Sequence, residues 1–531
     1  MIIDAQDPAA GIPGAADVCI IGAGAAGIAL ALELGSRGRR VLLVEAGGTR
    51  FDATSQRLFE GEATGDPFPP LRDTRLGALG GTTEVWAGHC RPLEARDFGG
   101  SDGRVGWPFG PEALDPWYRR AQAFLGLTVL DFDTDAWASR LRLDPILRDD
   151  AVVRTWIFQI SALRAGRHYR GQLEASRDIE VLLHAPVLRL HLAESGTRVE
   201  RAAVRTLRGR GFDLRARCFV LAAGGIENAR LLLLSGDVPG QGPGNDHGLV
   251  GRFFTDHAFA DPGYLEAAGH GLRLDGYLPQ RAAHGAGTCS IRGALTLDPA
   301  VLDREQLQNG ALLFYPRYAS HEVFATREVR EFLEAIAKLT GKAVPGGSGT
   351  HLARALRAPR HVAVAILRKL VVANGPARRW WLRAMFETES RFDNRVTLGS
   401  QCDTLGRPCA RIEWRLSDRD IHSMRRFMSL MDDAFRRHRL GRIVPAFTDD
   451  DASWRAAIIG GKHHMGTTRM HRDPVLGVVD ENARVHGTTN LFVAGSSVFP
   501  AGGLVNPTLT LVALALRLAD HIDRAGRERF T

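Results

Sequence analysis

Residues 17–45 constrain this chain most tightly. Asp17-Val-Cys-Ile-Ile begins a short, nearly all-apolar run over 17–21, the pattern of a strand buried on both faces of a parallel sheet. Gly22, Gly24 and Gly27 follow in G-x-G-x-x-G spacing. The first permits a tight turn, the second lets the backbone approach a pyrophosphate, and the third allows the next helix to pack closely on the strand. That helix reads from Ala25 to Arg37, with Ala26 in its first turn among the binding residues and its amino end facing the phosphates. Gly38 ends it, Arg40 to Val44 form a second strand, and Glu45 stands at the tip, 18 residues beyond Gly27. An acid there accepts hydrogen bonds from a ribose diol and repels a 2′-phosphate. Strand, helix, strand and acid in register predict a dinucleotide site; this segment alone leaves open whether it takes FAD or NAD.

At 531 residues the chain exceeds one comfortable core, so two domains or one large composite are expected. A hydrophobic fraction of 44% and a charged fraction of 24% are those of an ordinary globular protein. No apolar run reaches the length of a membrane span. Residues 1–16 lack a basic amino-terminal region, which argues against a secretory signal. Six scattered cysteines (Cys19, Cys90, Cys218, Cys289, Cys402 and Cys409) include no C-x-x-C, so no metal site is expected and a reducing cytoplasm is the default.

The net charge of +8 is concentrated. Between Glu334 and Glu387 there is no acidic residue but ten Lys or Arg, so the rest of the chain is slightly acidic. Within this stretch His361-Val-Ala-Val-Ala-Ile-Leu reads as an amphipathic helix, and Arg378-Arg-Trp380-Trp381-Leu-Arg383 mixes cations with interfacial aromatics. Segment 335–386 would suit an anionic membrane surface or an acidic partner. The plainer reading is a lid or a solvated helix with its apolar face in the core. No nucleic-acid reading module accompanies the charge.

The organisation reads as interleaved. Gly77 to Gly88 is a second small-residue loop suited to close backbone approach to a ligand, and a helix-rich region starts near Pro111. Strands are expected at Glu180–Leu183, Val187–Leu192, Arg201–Arg208 and Phe212–Leu221, the last ending in Ala222-Ala223-Gly224-Gly225. Residues 260–330 read as β-rich and 331–390 as mainly helical, followed by strands at Arg395–Leu398 and Ala410–Trp414 and a helix over Asp418–His438. Near the carboxyl end, His463-His464-Met-Gly466-Thr467 precedes a strand at 490–494 with Ala494 and Gly495 at its end, then Asn506-Pro507-Thr508 and a helix over 508–522.

Four separated motifs together are specific: Gly22–Glu45; Gly80-Gly-Thr-Thr-Glu-Val-Trp86; Val220-Leu-Ala-Ala-Gly-Gly-Ile-Glu-Asn228; and His463–Met470 continuing through Asn490–Ser497 to Thr508. With them the chain resembles the glucose-methanol-choline (GMC) oxidoreductases, FAD enzymes that oxidise alcohols and sugars. Gly251-Arg-Phe-Phe-Thr-Asp-His257 and Asn394-Arg-Val-Thr-Leu398 resemble the bacterial branch near pyranose oxidases and sugar dehydrogenases. The implied fold is α/β: a Rossmann-like FAD-binding domain of the GMC and p-hydroxybenzoate-hydroxylase type, formed by 1–99, 180–259 and 456–531, with an inserted α+β substrate domain formed by 100–179 and 260–455. The implied cofactor contacts add Gly81, Thr82, Thr83, Trp86, Ala87, Gly88, Val187, Ala223, Gly224, Ala494, Gly495, Asn506, Pro507 and Thr508 to the first glycine motif.

The resemblance implies a hydride passed from a substrate C–OH to flavin N5. His463, which alone of the histidine pair has H-x-x-G-T spacing, would be the base, and a neutral imidazole near its usual pKa of about 6.5 takes such a proton at little cost. Asn506 would hold the alcohol oxygen, a positioning role. Pro507 suits the first turn of a helix whose Thr508 and Leu509 amides would stabilise negative charge on the reduced ring. Some relatives attach FAD through a histidine just before the loop tryptophan; Val85 occupies that position here, so non-covalent FAD is expected, with His89 a weaker attachment point. Ala87 lacks a hydroxyl, so oxygen reactivity does not carry over, and either O2 or a soluble or protein electron acceptor remains open. The alternatives are a flavin-dependent lyase acting on hydroxynitriles, an oxidase of a non-sugar alcohol, a non-catalytic module bound through 335–386, and an NAD-dependent enzyme.

Overall fold

The computed structural model describes residues 1–100, 105–127, 131–141, 145–269, 272–284, 287–317 and 379–528. Most of the basic segment, including the helix expected from His361, lies outside them. At the centre is a six-stranded, wholly parallel sheet in the order Ile2–Asp4, Ile179–Leu183, Val41–Val44, Ala16–Ile21, Ala216–Leu221, Leu491–Val493. The strands at its middle are apolar throughout because helices cover both faces; Cys19, Ile20, Leu43, Val220 and Val493 are inaccessible to solvent. Helix Ala25–Gly35 packs on the sheet and against the carboxyl-terminal helix Thr508–Glu528, which also packs on Asp115–Phe124. The two ends of the chain therefore meet in one layer.

A second, nine-stranded sheet lies across the carboxyl ends of the first. Its main path runs Gly441–Pro445, Ala258–Ala267, Arg379–Phe386, Gly310–Arg317, Gly287–Leu297, Val153–Ile160, His89–Cys90, with Gln280–His284 and Ile459–Gly460 attached at its flanks. His89–Cys90 and Ile459–Gly460 are short, and they stitch segments expected in the FAD-binding domain onto this other sheet. Two three-stranded sheets complete the described fold.

Two sequence expectations are corrected. Phe212–Leu221 is not one strand: Gly211–Leu214 pairs antiparallel with Val199–Arg205, and after Arg215 the chain turns into the parallel sheet as Ala216–Leu221. Residues 379–386, expected within a helical, surface-seeking stretch, form a strand flanked by Ala258–Ala267 and Gly310–Arg317. Alternation decides its character. Trp380, Leu382 and Ala384 turn into the core, while Arg383 pairs with Asp261 at 2.8 Å and Arg379 lies 5.0 Å over the Tyr264 ring. Trp380 is thus a core residue, not an interfacial one.

Candidate active site

The two glycine loops, the ends of the parallel strands and one face of the nine-stranded sheet enclose a cavity of about 590 Å³. Its position follows a general rule, since ligands of parallel α/β sheets bind outside the carboxyl ends of the strands.

The first loop is tied by its glycines in different ways. A methyl group on Gly27 would sit 1.9 Å from the Gly22 carbonyl oxygen, so only glycine lets the helix approach the turn this closely. A methyl on Gly24 would meet no protein atom within 4 Å, because Gly24 faces the cavity. No side chain caps helix Ala25–Gly35, which leaves its first-turn amides directed toward an anion. The second loop folds over the first: the Gly80 amide donates to the Ala23 carbonyl at 2.8 Å, and a methyl on Gly81 would lie 3.1 Å from Gly24 Cα.

Glu45 does more than the sequence suggests. It is buried against the cavity, with one carboxylate oxygen accepting from the Ala23 amide and the other from the Gly47 amide, both at 3.0 Å. It therefore holds the glycine turn as well as facing the cavity. Burial outweighs these bonds and pushes its pKa up to about 7.

Of the remaining expected cofactor contacts, Gly22, Ala26, Gly81, Thr82, Trp86, Ala87, Gly88 and Val187 line the cavity, as do Ala223, Gly224, Gly495, Pro507 and Thr508. Gly224 and Gly495 resemble Gly24 in that a methyl would meet no protein atom. Trp86 is held by its indole N–H donating to the Leu163 carbonyl at 2.8 Å. Thr83 reaches the cavity, but its hydroxyl is turned inward to the Gly80 carbonyl at 2.5 Å and serves the loop itself. Gly27 and Ala494 stand behind the lining: Gly27 supports the turn, and the Ala494 carbonyl accepts from the Asn228 amide at 3.2 Å. Val85 is 65% exposed at the loop tip, while the His89 ring faces the cavity edge-on to Phe158.

At the opposite end, His463 and Asn506 converge. Asn506 Nδ2 lies 3.0 Å from His463 Nε2. The approach is built by an antiparallel crossing of two segments: Thr255 and Met465 exchange backbone hydrogen bonds, and Ala258–Phe259 pairs with Ile459–Gly460. Between these anchors the chain kinks at Lys462, whose φ is +67°. Buried Asp256 holds the kink, one carboxylate oxygen accepting from the Lys462 amide at 3.0 Å and the other from the His463 amide at 2.7 Å. Gly466, at φ +85°, lets the chain pass the Phe253 carbonyl, which a methyl would meet at 2.2 Å.

Behind His463 stands His257, its Nδ1 2.8 Å from His463 Nδ1 and its Nε2 2.8 Å from the Gly503 carbonyl oxygen. Burial lowers His463 well below the ordinary histidine range, and the neighbouring imidazoles His257, His464 and His89 act in the same direction. The expectation of an ordinary pKa is thus corrected; the ring is neutral over a wider range than a free imidazole. His464 points elsewhere, into Phe68 and Phe254 at ring distances near 6 Å, and its carbonyl accepts from Ser496.

Sequence reasoning missed Asp256 and His257, which stood in a segment noted only for its branch resemblance. It also missed Arg75 and Arg407 on the cavity wall: Arg75 pairs with Glu227 at 2.5 Å and Arg407 with buried Asp403 at 2.8 Å. The far wall comes from the nine-stranded sheet and its flanks: Phe158, Phe259, Leu313, Tyr315, Arg383 and Met385. Leu313 with Tyr315, and Arg383 with Met385, show the two-residue alternation that selects one face of a sheet, a signal that could have found them had the first strand been delimited within its β-rich region and the second not been read as helical.

Comparison with known proteins agrees with this geometry. Residues 17–242 match the FAD dependent oxidoreductase family model and residues 389–515 the GMC oxidoreductase model. The chain is 24% identical to 2-methyl-1,2-propanediol dehydrogenase of Mycolicibacterium austroafricanum, covering 96% of this chain and 95% of that one. It is 27% identical to 6'''-hydroxyparomomycin C oxidase of Streptomyces lividus, over 96% and 93% of the two chains. Among solved structures, pyridoxine 4-oxidase from Mesorbium loti superposes with a TM-score of 0.58 at 17% identity, covering 96% of this chain and 99% of that one, a likeness of fold. The open-faced glycines, the uncapped helix and buried Glu45 fit the phosphates and ribose of FAD. With both family models falling on the segments that build this cavity, the chain belongs to the GMC oxidoreductases, FAD-dependent enzymes in which the two ends of the sequence share one site.

Proposed function

We propose that this protein oxidises a CH–OH group of a sugar, glycoside or related polyol, with His463 as the base and Asn506 orienting the alcohol oxygen. The observation that carries this reading is the 3.0 Å approach of Asn506 Nδ2 to His463 Nε2 at the wall of the cavity that also contains the glycine loops. Bound FAD supplies the hydride acceptor. The protein's own work is then to place the carbinol, take its hydroxyl proton and keep water away.

A neutral imidazole held on both ring nitrogens can accept that proton without first reorienting. An amide side chain is not a base, so the proton goes to His463. Thr508 and Leu509 open the carboxyl-terminal helix, whose positive dipole end favours negative charge gathering nearby. Two relatives act, by their names, on 2-methyl-1,2-propanediol and on 6'''-hydroxyparomomycin C, which supports a substrate bearing more than one hydroxyl group. The wall itself supports it too: Phe158, Phe259, Leu313 and Met385 give apolar surface, interrupted by the Tyr315 hydroxyl and the Arg383 guanidinium.

Exposed Val85 supports dissociable FAD. None of the helices among the described residues is long and apolar enough to cross a membrane, and the absence of any C-x-x-C spacing among the six cysteines of the sequence supports a reducing, cytoplasmic setting. Reoxidation is by O2 or by another acceptor. An anaerobic panel of polyols and simple alcohols, followed by flavin bleaching and then by air, tests the proposal. Bleaching by polyols that is lost in His463→Ala, with FAD retained, is the expected result. Turnover of substrate without bleaching would favour the lyase, and wild-type bleaching in His463→Ala would remove the assigned base.

A further inference from the structure

The second histidine, His257, closes the Gly251–His257 segment noted above only for its branch resemblance, and its Nδ1 stands against the inner nitrogen of the proposed base. Its two contacts have unequal chemistry. The Gly503 carbonyl 2.8 Å from His257 Nε2 can only accept, so Nε2 carries the hydrogen. A neutral imidazole has one N–H, which leaves His257 Nδ1 as a bare lone pair. Burial favours this neutral form, drawing the His257 pKa down to about 4. The atom facing that lone pair is His463 Nδ1, at 2.8 Å. Two bare nitrogens at that distance would repel, so His463 Nδ1 must carry a hydrogen and donate it. The neutral His463 ring then has no hydrogen on Nε2.

We infer that His257 is a positioning residue which, through the chain Gly503 carbonyl, His257, His463, fixes the tautomer of His463 so that the lone pair stands on Nε2, the atom beside Asn506. This rests on the reading of His463 as the base. The direction of every bond in the chain is set by a group that cannot reverse, the Gly503 carbonyl. Asn506 agrees with it at the other end, because its Nδ2 donates to the same lone pair at 3.0 Å. A substrate hydroxyl that enters here finds an acceptor already bare, in place of a ring that must first shed a proton from Nε2.

The fold keeps this chain rigid. Asp256, adjacent to His257, holds the His463 backbone amide at 2.7 Å, so the two rings are registered by the main chain as well as by their own contact. The rings meet nearly perpendicular, at 78° and 4.9 Å between centres. Gly503, at φ +58°, turns its carbonyl toward His257 from the loop that ends at Asn506. The tautomer and the amide partner are therefore set by the same short loop.

The test compares His257→Leu with His257→Asn in the FAD-loaded enzyme. The two side chains have nearly the same shape, but Asn offers an acceptor oxygen at the bond position of Nδ1 and Leu offers none. In anaerobic rapid mixing, His257→Leu should lower the limiting rate of flavin reduction by on the order of 10- to 100-fold, by analogy with the loss of the hydrogen-bond partner that fixes the tautomer of a metal-bound histidine, with substrate dissociation constant and FAD content near wild type. His257→Asn should recover most of that rate. Equal rates in the two variants would overturn the inference. A reading that needs no variant at position 257 to fold is imidazole nitrogen NMR of ¹⁵N-histidine-labelled protein. The resonance that disappears in His463→Ala should be that of a ring protonated at Nδ1 and bare at Nε2; finding the opposite tautomer overturns the inference. Unchanged flavin reduction in His463→Ala would instead defeat the assignment of the base, whatever the 257 variants do.

Discussion

Replacing Glu45 by Gln separates its two duties, because Gln keeps the shape and one acceptor while exchanging the other for a donor. In the structure both carboxylate oxygens are used, by the Ala23 amide and the Gly47 amide at 3.0 Å each. Whichever way the Gln amide turns, its NH2 group faces one of these N–H groups, leaving a buried backbone donor unpaired. That costs about 1–3 kcal/mol. Without cofactor the glycine turn relaxes to relieve part of the conflict, and binding must restore it, so the penalty divides between apoprotein stability and FAD affinity. At about 1.4 kcal/mol per decade, the whole penalty placed on binding weakens FAD roughly 5- to 150-fold. Because Glu45 sits near pKa 7, the wild-type carboxyl is partly neutral at neutral pH, and loss of charge contributes less than loss of the acceptor. Titration of apoprotein with FAD, followed by quenching of flavin fluorescence, gives the affinity, and thermal unfolding of the apoprotein gives the remainder. A variant within twofold of wild type in affinity and within a degree in Tm would refute the bracing role of Glu45.

Gly24→Ala and Gly27→Ala should differ in kind: the first methyl points into the cavity and the second meets the Gly22 carbonyl at 1.9 Å, so Gly24→Ala should spare apoprotein Tm while weakening FAD, and Gly27→Ala should cost about 3 kcal/mol or more of stability. Equal Tm losses in the two would contradict that assignment. Acid precipitation should release all flavin to the supernatant, since Val85 cannot form a histidyl link; yellow pellet after washing is the opposing result. The contribution of the buried histidines to folding stability should fall as pH drops from about 6.5 toward 4.5, because burial holds His89 and His257 near 4 and His464 near 3, and the unfolded chain then binds protons that the folded chain refuses. Asp256 works in the other direction: burial raises it to about 7, so the folded chain keeps a proton between about 7 and 3.8 that the unfolded chain releases, and its contribution grows on acidification. Asp256→Asn should therefore steepen the acid loss of Tm, and Tm-versus-pH curves that run parallel to wild type would speak against these proton positions.

What could be read in advance was set by how local each physical cause is. The turn at Gly22–Gly27 and the strand ending at Glu45 are dictated within 30 residues, because close backbone approach demands glycine and a doubly covered strand demands an apolar run. Asn506 was legible through the motif that carries the family resemblance, while Pro507 after it marked the helix that opens at Thr508. Thr83 lines the cavity, but a threonine in a glycine loop offers a hydroxyl to a ligand or to the loop with equal ease, and the Gly80 carbonyl took it. The strand Arg379–Phe386 was lost to a different confusion. A run such as Arg-Trp-Trp-Leu-Arg carries alternating burial that is plain only once neighbouring strands are in place, and dense positive charge suggested a surface.

Asp256 and His257 were beyond sequence reasoning because their meaning lies about 200 positions away. A Thr-Asp-His tripeptide becomes an amide acceptor and an imidazole acceptor only when Thr255 pairs with Met465 and the chain kinks at Lys462. Dense burial also reverses the expected chemistry there. An exposed histidine titrates near 6.5, whereas each of the rings at 89, 257, 463 and 464, the first and third half-buried and the other two buried, is drawn below that value, chiefly by loss of solvent. Neutrality is what allows such a cluster to act by tautomer. A charged His257 would donate from both nitrogens, offer His463 Nδ1 no lone pair, and turn the proposed base around. The apolar packing that keeps these rings uncharged, Phe259 against His463 and Phe254 against His464 among it, is thus tied to the site's chemistry as directly as the residues that touch substrate.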